Sequence, residues 1–197
     1  MFAVGRERRG AAALSAHGEP NKQGAVAVRT RYVEVMTNHD WASRVAEVWD
    51  SADEIGDNIL LERIDALVAE RPADDPDAVF EAASVRDSVG LEAEAAVLYQ
   101  RALDLGLAEP KRGQTFIQYA STLRNLGRYE EGLALLNRLE PDNELTDAAS
   151  AVRALILVSA GRPVEGAAIA VGALAMHLPM YQRSMKNYAA ELLKGAE

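Results

Sequence analysis

From residue 41 onward the apolar positions of this chain fall at helical spacing, and glycines break the regularity. In "DWASRVAEVW" the side chains Trp41, Val45, Val48 and Trp49 share one face, because residues three and four apart stack on one side of an α-helix. After a break at Gly56–Asp57, a second stripe follows at Leu60, Leu61, Ile64, Leu67 and Val68. The pattern predicts helices near 41–50 and 58–70. "RPADDPDAVFEAA" marks the next start: Asp75 is expected to cap a helix by accepting a backbone N–H, with Pro76 in the first turn, where no donor is needed. Residues 1–38 show no sustained period and carry Gly, Pro, Asn, Lys and Arg at loop-like density. They read as a flexible tail ahead of a folded domain at 39–197, and Met36 is an alternative start of translation.

The glycines carry more information than the stripes. "SVGLEAEAAVLYQRAL" (88–103), "NLGRYEEGLALLNRLE" (125–140) and "SAGRPVEGAAIAVGAL" (159–174) superpose without gaps, and Gly90, Gly127 and Gly161 lie 37 and 34 residues apart. Five residues after each glycine stands a small residue, Ala95, Gly132 or Gly166, and seven residues before it stands Ala83, Ala120 or Ala154. A recurring helix–turn–helix unit of this length is the signature of a helical solenoid. Gly127 is expected to end its first helix in a left-handed conformation that other residues adopt only at a cost, and Gly106 after "RALDL" to act alike. The small residues are expected where paired helices cross.

On these residues the chain resembles the tetratricopeptide repeat family, and in "RDSVGLEAEAAVLYQRALDLGL" and "STLRNLGRYEEGLALL" a bacterial subgroup of small members. The best match is at 113–141, through Phe116, Ala120, Leu123, Gly127, Tyr129, Gly132, Leu136 and Pro141. The resemblance implies an all-α fold, a right-handed helical-hairpin solenoid of about three repeats. The helices at 41–50 and 58–70 would cap its front, and "PMYQRSMKNYAAELL" its back. It also implies a non-enzymatic protein–protein interaction module that holds a peptide or helix in a concave groove lined by the first helix of each repeat. Counting along those helices gives Phe80, Ser84, Asp87 and Ser88, then Gln114, Ile117, Ser121, Arg124 and Asn125, with Ala151, Leu155, Val158 and Ser159 from the third repeat. Asp87 and Arg124 each stand three residues before a glycine, which sets them side by side on neighbouring helices. They would form a structural ion pair, or leave Arg124 to receive a carboxylate or carbonyl of a bound peptide. Two other roles stay open: a small hydrolase or transferase using the groove around Asp87 and Arg124, and a self-associating scaffold subunit.

Composition narrows these roles. Hydrophobic residues make up 49% and aromatics 6%, so Ala, Leu and Val supply most of the packing surface. There is no cysteine, which removes disulfides, thiolate nucleophiles and Cys-based zinc sites. The net charge of −9 opposes nucleic-acid binding, and it is uneven. Residues 41–109 hold five basic and seventeen acidic groups (−12), whereas 1–40 carry +2 and 110–197 carry +1. The longest apolar run, "GAAIAVGALAM" at 166–176, is far short of the roughly 20 residues a membrane helix needs, and the N-terminal apolar stretch is too short for a signal peptide. A cytoplasmic protein is expected.

His17, His39 and His177 are too scattered for a metal site, and no phosphate loop, dinucleotide fingerprint or nucleophile elbow is present, so no metal or cofactor is expected. Asp74, Asp75 and Asp77 read as charges complementing a helix N-terminus, and "SADEIGDNILLE" lacks the oxygen ligands of a calcium loop. "VEGAAIAVGALAM" (164–176) holds one charged residue and is apolar around most of its circumference. Such a helix needs cover on nearly every side. The final helix is expected to cover one side through Met185, Tyr188, Ala189 and Leu192. Either that back cap suffices, or a second copy covers another side, giving a homodimer through the C-terminal helices at 163–194.

Overall fold

The computed structural model describes residues 40–140 and 144–194; the tail at 1–38, Met36 and Pro141 lie outside them. The chain divides into the units Met1–Ala42 and Ser43–Glu197, and the second holds everything that follows. It contains residues 43–50 of α1 (40–50), then α2 (Ala52–Ile55), α3 (Asp57–Val68), α4 (Pro76–Ser88) and α5 (Glu92–Asp104). Then come α6 (Lys111–Asn125), α7 (Tyr129–Leu136), α8 (Thr146–Ser159), α9 (Pro163–Ala175) and α10 (Gln182–Lys194). Among the described residues there is no strand.

Each helix packs on the next along the chain from α2 to α10, and α4 also touches α6, as α6 touches α8. Three helical hairpins, α4–α5, α6–α7 and α8–α9, are therefore stacked so that their first helices form one continuous layer. This is the helical solenoid that the glycine spacing predicts. The short α2 has no counterpart in the sequence reading, because four residues are too few to show a period.

The joints between paired helices explain the repeat. Gly127 has φ +73°, and around it the N–H of Arg128 donates to Leu123 O at 2.8 Å. The same closure, from an N–H to the carbonyl five residues earlier, joins Leu91 to Arg86 and Arg162 to Leu157, each at 2.8 Å. It satisfies a carbonyl that the helix end would leave unpaired. Five residues on, the small residue meets the first helix of its own pair. A Cβ at Gly132 would lie 3.1 Å from Ala120 O, and one at Gly166 would lie 2.7 Å from Ala154 O. The alanine seven residues before each turn glycine and the small residue five after it are thus two sides of one close helix crossing. Asp75 caps α4 as expected, accepting from Asp77 N at 2.9 Å and Ala78 N at 3.3 Å, with Pro76 in the first turn.

One buried cluster runs through α4–α8, including Phe80, Tyr99, Phe116, Tyr119, Leu123 and Ile156. At the C-terminal end the structure corrects one expectation. α10 lies on α9 and buries Ala189, but Tyr188 stays 55% exposed and Leu192 40%. A Cβ at Gly172 would sit 3.9 Å from that of Ala189, and Met185 is part-buried, so the cover comes from these residues more than from Tyr188 and Leu192. Cover of α9 is incomplete, with Leu174 58% exposed.

Candidate functional site

The first helices of the first two hairpins, α4 and α6, border a cavity of about 560 Å³ that α1 reaches through Trp49. Its floor is built around Tyr99 on α5. The ring of Tyr99 is fully buried between Phe80 and Tyr119, with centroids 6.3 and 5.8 Å away, and only its hydroxyl reaches the cavity. That hydroxyl lies 3.4 Å from both Asp87 Oδ2 and Gln118 Oε1. Burial and the neighbouring Asp87 carboxylate push the Tyr99 pKa well up, so the phenol keeps its proton and acts as a donor.

Asp87 is half-buried on α4. The buried hydroxyl of Thr122 on α6 donates to Asp87 Oδ1 at 2.8 Å while also facing Gln118 O at 3.0 Å. Burial pushes the Asp87 carboxyl above the usual aspartate range, the bonds from Thr122 and Tyr99 oppose that rise, and the Glu92 charge adds to it. Of the two roles open to Asp87 and Arg124, the structural ion pair does not form. Arg124 Nη2 donates instead to Asn125 Oδ1 at 2.9 Å, and its Nε is buried without a partner. The register of α6 sets Thr122, not Arg124, opposite Asp87.

One wall carries a second polar system. The Glu81 carboxylate is buried; it accepts from Trp49 Nε1 at 2.9 Å and pairs with Lys111 Nζ at 2.9 Å. Lys111 also pairs with Asp77 at 3.2 Å and stands 5.3 Å above the centre of the Phe80 ring. Ser84 Oγ and Gln118 Oε1 face each other at 3.5 Å across the α4–α6 seam.

Of the residues that sequence counting assigned to a groove, Phe80, Ser84, Asp87, Ser88, Gln114, Ser121 and Asn125 line this cavity together. Ile117 and Arg124 do not, and Ile117 packs on the core cluster. The residues that counting missed are Trp49, Glu81, Tyr99, Lys111 and Gln118. Part of that set was legible: Lys111, Gln114, Gln118, Ser121 and Asn125 recur at spacings of three and four, one position round from the stripe through Ile117 and Arg124. Trp49 comes from a distant helix and left no local signal. On α8 the third-repeat residues Ala151, Leu155, Val158 and Ser159 are exposed, Leu155 and Val158 at 51% each.

Among the described residues no group of three or more His, Asp or Glu side chains could hold a metal ion. His177 Nε2 lies 2.8 Å from Asp147 Oδ2 at the surface, and His17 and His39 lie outside the described residues. No described helix is long and apolar enough to cross a membrane. In comparison with known proteins, the family model described as Tetratrico peptide repeat matches residues 76–192, more than half of the chain. No curated protein and no solved structure matches.

Proposed function

This chain belongs to the tetratricopeptide repeat family, and we propose that it is a non-enzymatic interaction module that holds a segment of a partner protein against α4 and α6. Repeats of this family are generally protein–protein interaction modules, and stacked first helices supply an extended surface for that purpose. The observation that carries the proposal is the open cavity of about 560 Å³ on that layer. It is lined by hydroxyl, amide and carboxylate groups around an aromatic floor, a mixture that suits a side chain and its backbone. A hydrolase or transferase reading is less well supported. Among the described residues the lining holds no His or Cys, Arg124 bonds to Asn125 and not to Asp87, and the Ser84 and Ser88 hydroxyls donate to the Gln118 amide oxygen and the Val85 carbonyl.

Panning a random-peptide phage library on the chain tests the proposal. Selected peptides should bind the wild type and lose binding to Ser121→Trp, which fills the cavity from the part-exposed face of α6. Absence of binders, or binders indifferent to Ser121→Trp, would overturn it.

Self-association is a second reading, supported by the exposed Leu174, Met176, Tyr188, Leu192 and Leu193 on and beside α9 and α10. It is compatible with the first, since none of these residues lines the cavity.

A further inference from the structure

The cavity has a charge that the described residues leave unanswered. Its lining contains two carboxylates, Glu81 and Asp87, and one ammonium, Lys111. Lys111 is committed to Glu81 and Asp77. Asp87 has two donors, and both are shared: Thr122 also faces the Gln118 carbonyl, and Tyr99 also faces the Gln118 side-chain oxygen. A hydroxyl has one proton, whereas an ionised carboxylate offers about four acceptor sites. Asp87 therefore keeps free acceptor capacity, and Gln118 Oε1 adds a neutral acceptor beside it. Among the described residues no cation pairs with Asp87, and the Glu92 charge acts on it unfavourably.

We propose that this cavity receives a Lys or Arg side chain of a partner peptide, with its ammonium or guanidinium group donating to Asp87 and to Gln118 Oε1. The proposal rests on the reading of the groove as a peptide site and names the chemistry of its occupant. Three features converge on a cation. Asp87 Oδ2 and Gln118 Oε1 stand together, each 3.4 Å from the Tyr99 hydroxyl, and a charge-assisted bond to carboxylate is stronger than a neutral one. The wall is aromatic, and Lys111 above Phe80 at 5.3 Å shows that an ammonium is accommodated against it. The surrounding residues 41–109 carry −12, which draws basic segments toward this half of the molecule and repels acidic ones.

The groove-directed peptides from phage panning, made synthetically, provide the test on the full chain. Each basic residue is replaced in turn by Gln, and affinity is read by fluorescence anisotropy. Asp87→Asn removes the charge and keeps an acceptor for Thr122; its fold is checked by circular dichroism. Ser121→Asp, on the part-exposed side of the cavity, adds a charge without touching Asp87. In the expected result one Lys or Arg dominates, Asp87→Asn costs about tenfold or more in affinity, Ser121→Asp tightens binding, and added salt weakens it. Peptides that bind the cavity without a basic residue, or that bind Asp87→Asn as tightly as wild type, would overturn the cation proposal and leave the peptide groove standing. Failure to obtain any cavity-directed peptide would overturn both.

Discussion

The carboxyl group of Asp87 is half-buried and, among the described residues, shares both of its donors with Gln118 and has no cation beside it. Ionisation in that setting is disfavoured, so the folded chain holds the Asp87 proton more tightly than the unfolded chain does. The sign of the pH dependence follows. As pH falls from neutral through the raised pKa toward 3.8, the ordinary aspartate value, the folded state gains a proton first and the cost of the buried charge disappears. Asp87→Asn removes that cost at every pH. The variant should be at least as stable as wild type in urea at neutral pH, and its advantage should narrow as the solution is acidified. A clear loss of stability at neutral pH would mean that the bond from Thr122 outweighs the burial of the charge. Asp87→Ala and Arg124→Ala, sharing no partner, should add in a double-mutant cycle to within about 0.5 kcal/mol. The repeat offset made Asp87 legible in the sequence but misassigned its partner. Equal distance from a glycine aligns two helices as strings, whereas the packed α4 and α6 set Thr122 at the contact.

At the scale of the helical hairpin, the glycines separate into two physical kinds that look identical in the sequence. At Gly127 a Cβ would meet nothing within 4 Å, so only the positive φ resists substitution. Gly127→Val should therefore destabilise by about 1–2 kcal/mol through backbone strain alone, read from the urea midpoint. Gly166 and Gly172 lie on the same helix, α9, and gain equally in helix propensity when changed to Ala. They should nevertheless respond with opposite signs. A Cβ at Gly166 would lie 2.7 Å from the Ala154 carbonyl, a backbone atom that cannot swing aside, and 2.9 Å from Val158 Cγ2. At Gly172 the nearest atom is 3.9 Å away. Gly166→Ala should lower stability, and Gly172→Ala should raise it by about 0.5–1 kcal/mol. Equal shifts in both midpoints would contradict the crossing geometry. The hairpins were readable because each joint repeats the same glycine, alanine and small residue at fixed offsets. α2 and the entry of Trp49 into the cavity were not, since neither repeats.

Along the chain, the acidic charge and the exposed apolar side chains concentrate in different parts. Residues 41–109 carry −12 and 110–197 carry +1. Among the described residues, ten of the fourteen large exposed hydrophobics lie at Leu155 or beyond. Exposed apolar side chains gathered in one part of a chain suit an interaction surface. Two copies meeting through their acidic halves would repel, whereas the C-terminal ends, with little net charge, meet without that opposition. A two-fold contact through 163–194 would place α9 and α10 against the same helices of a second copy and cover Leu174, Tyr188 and Leu192. These side chains are 58%, 55% and 40% exposed, so changing them need not disturb the interior. The expected outcome is a mass of twice 21.3 kDa by light scattering coupled to gel filtration, unaffected by added salt. Tyr188→Glu combined with Leu192→Glu should return the mass to 21.3 kDa with the helical circular dichroism retained. Wild-type chain that stays at the single-chain mass up to high micromolar concentration would rule the dimer out. The apolar face of α8–α10 would then extend the partner groove beyond the cavity, and the same double substitution should weaken binding of the phage-selected peptides.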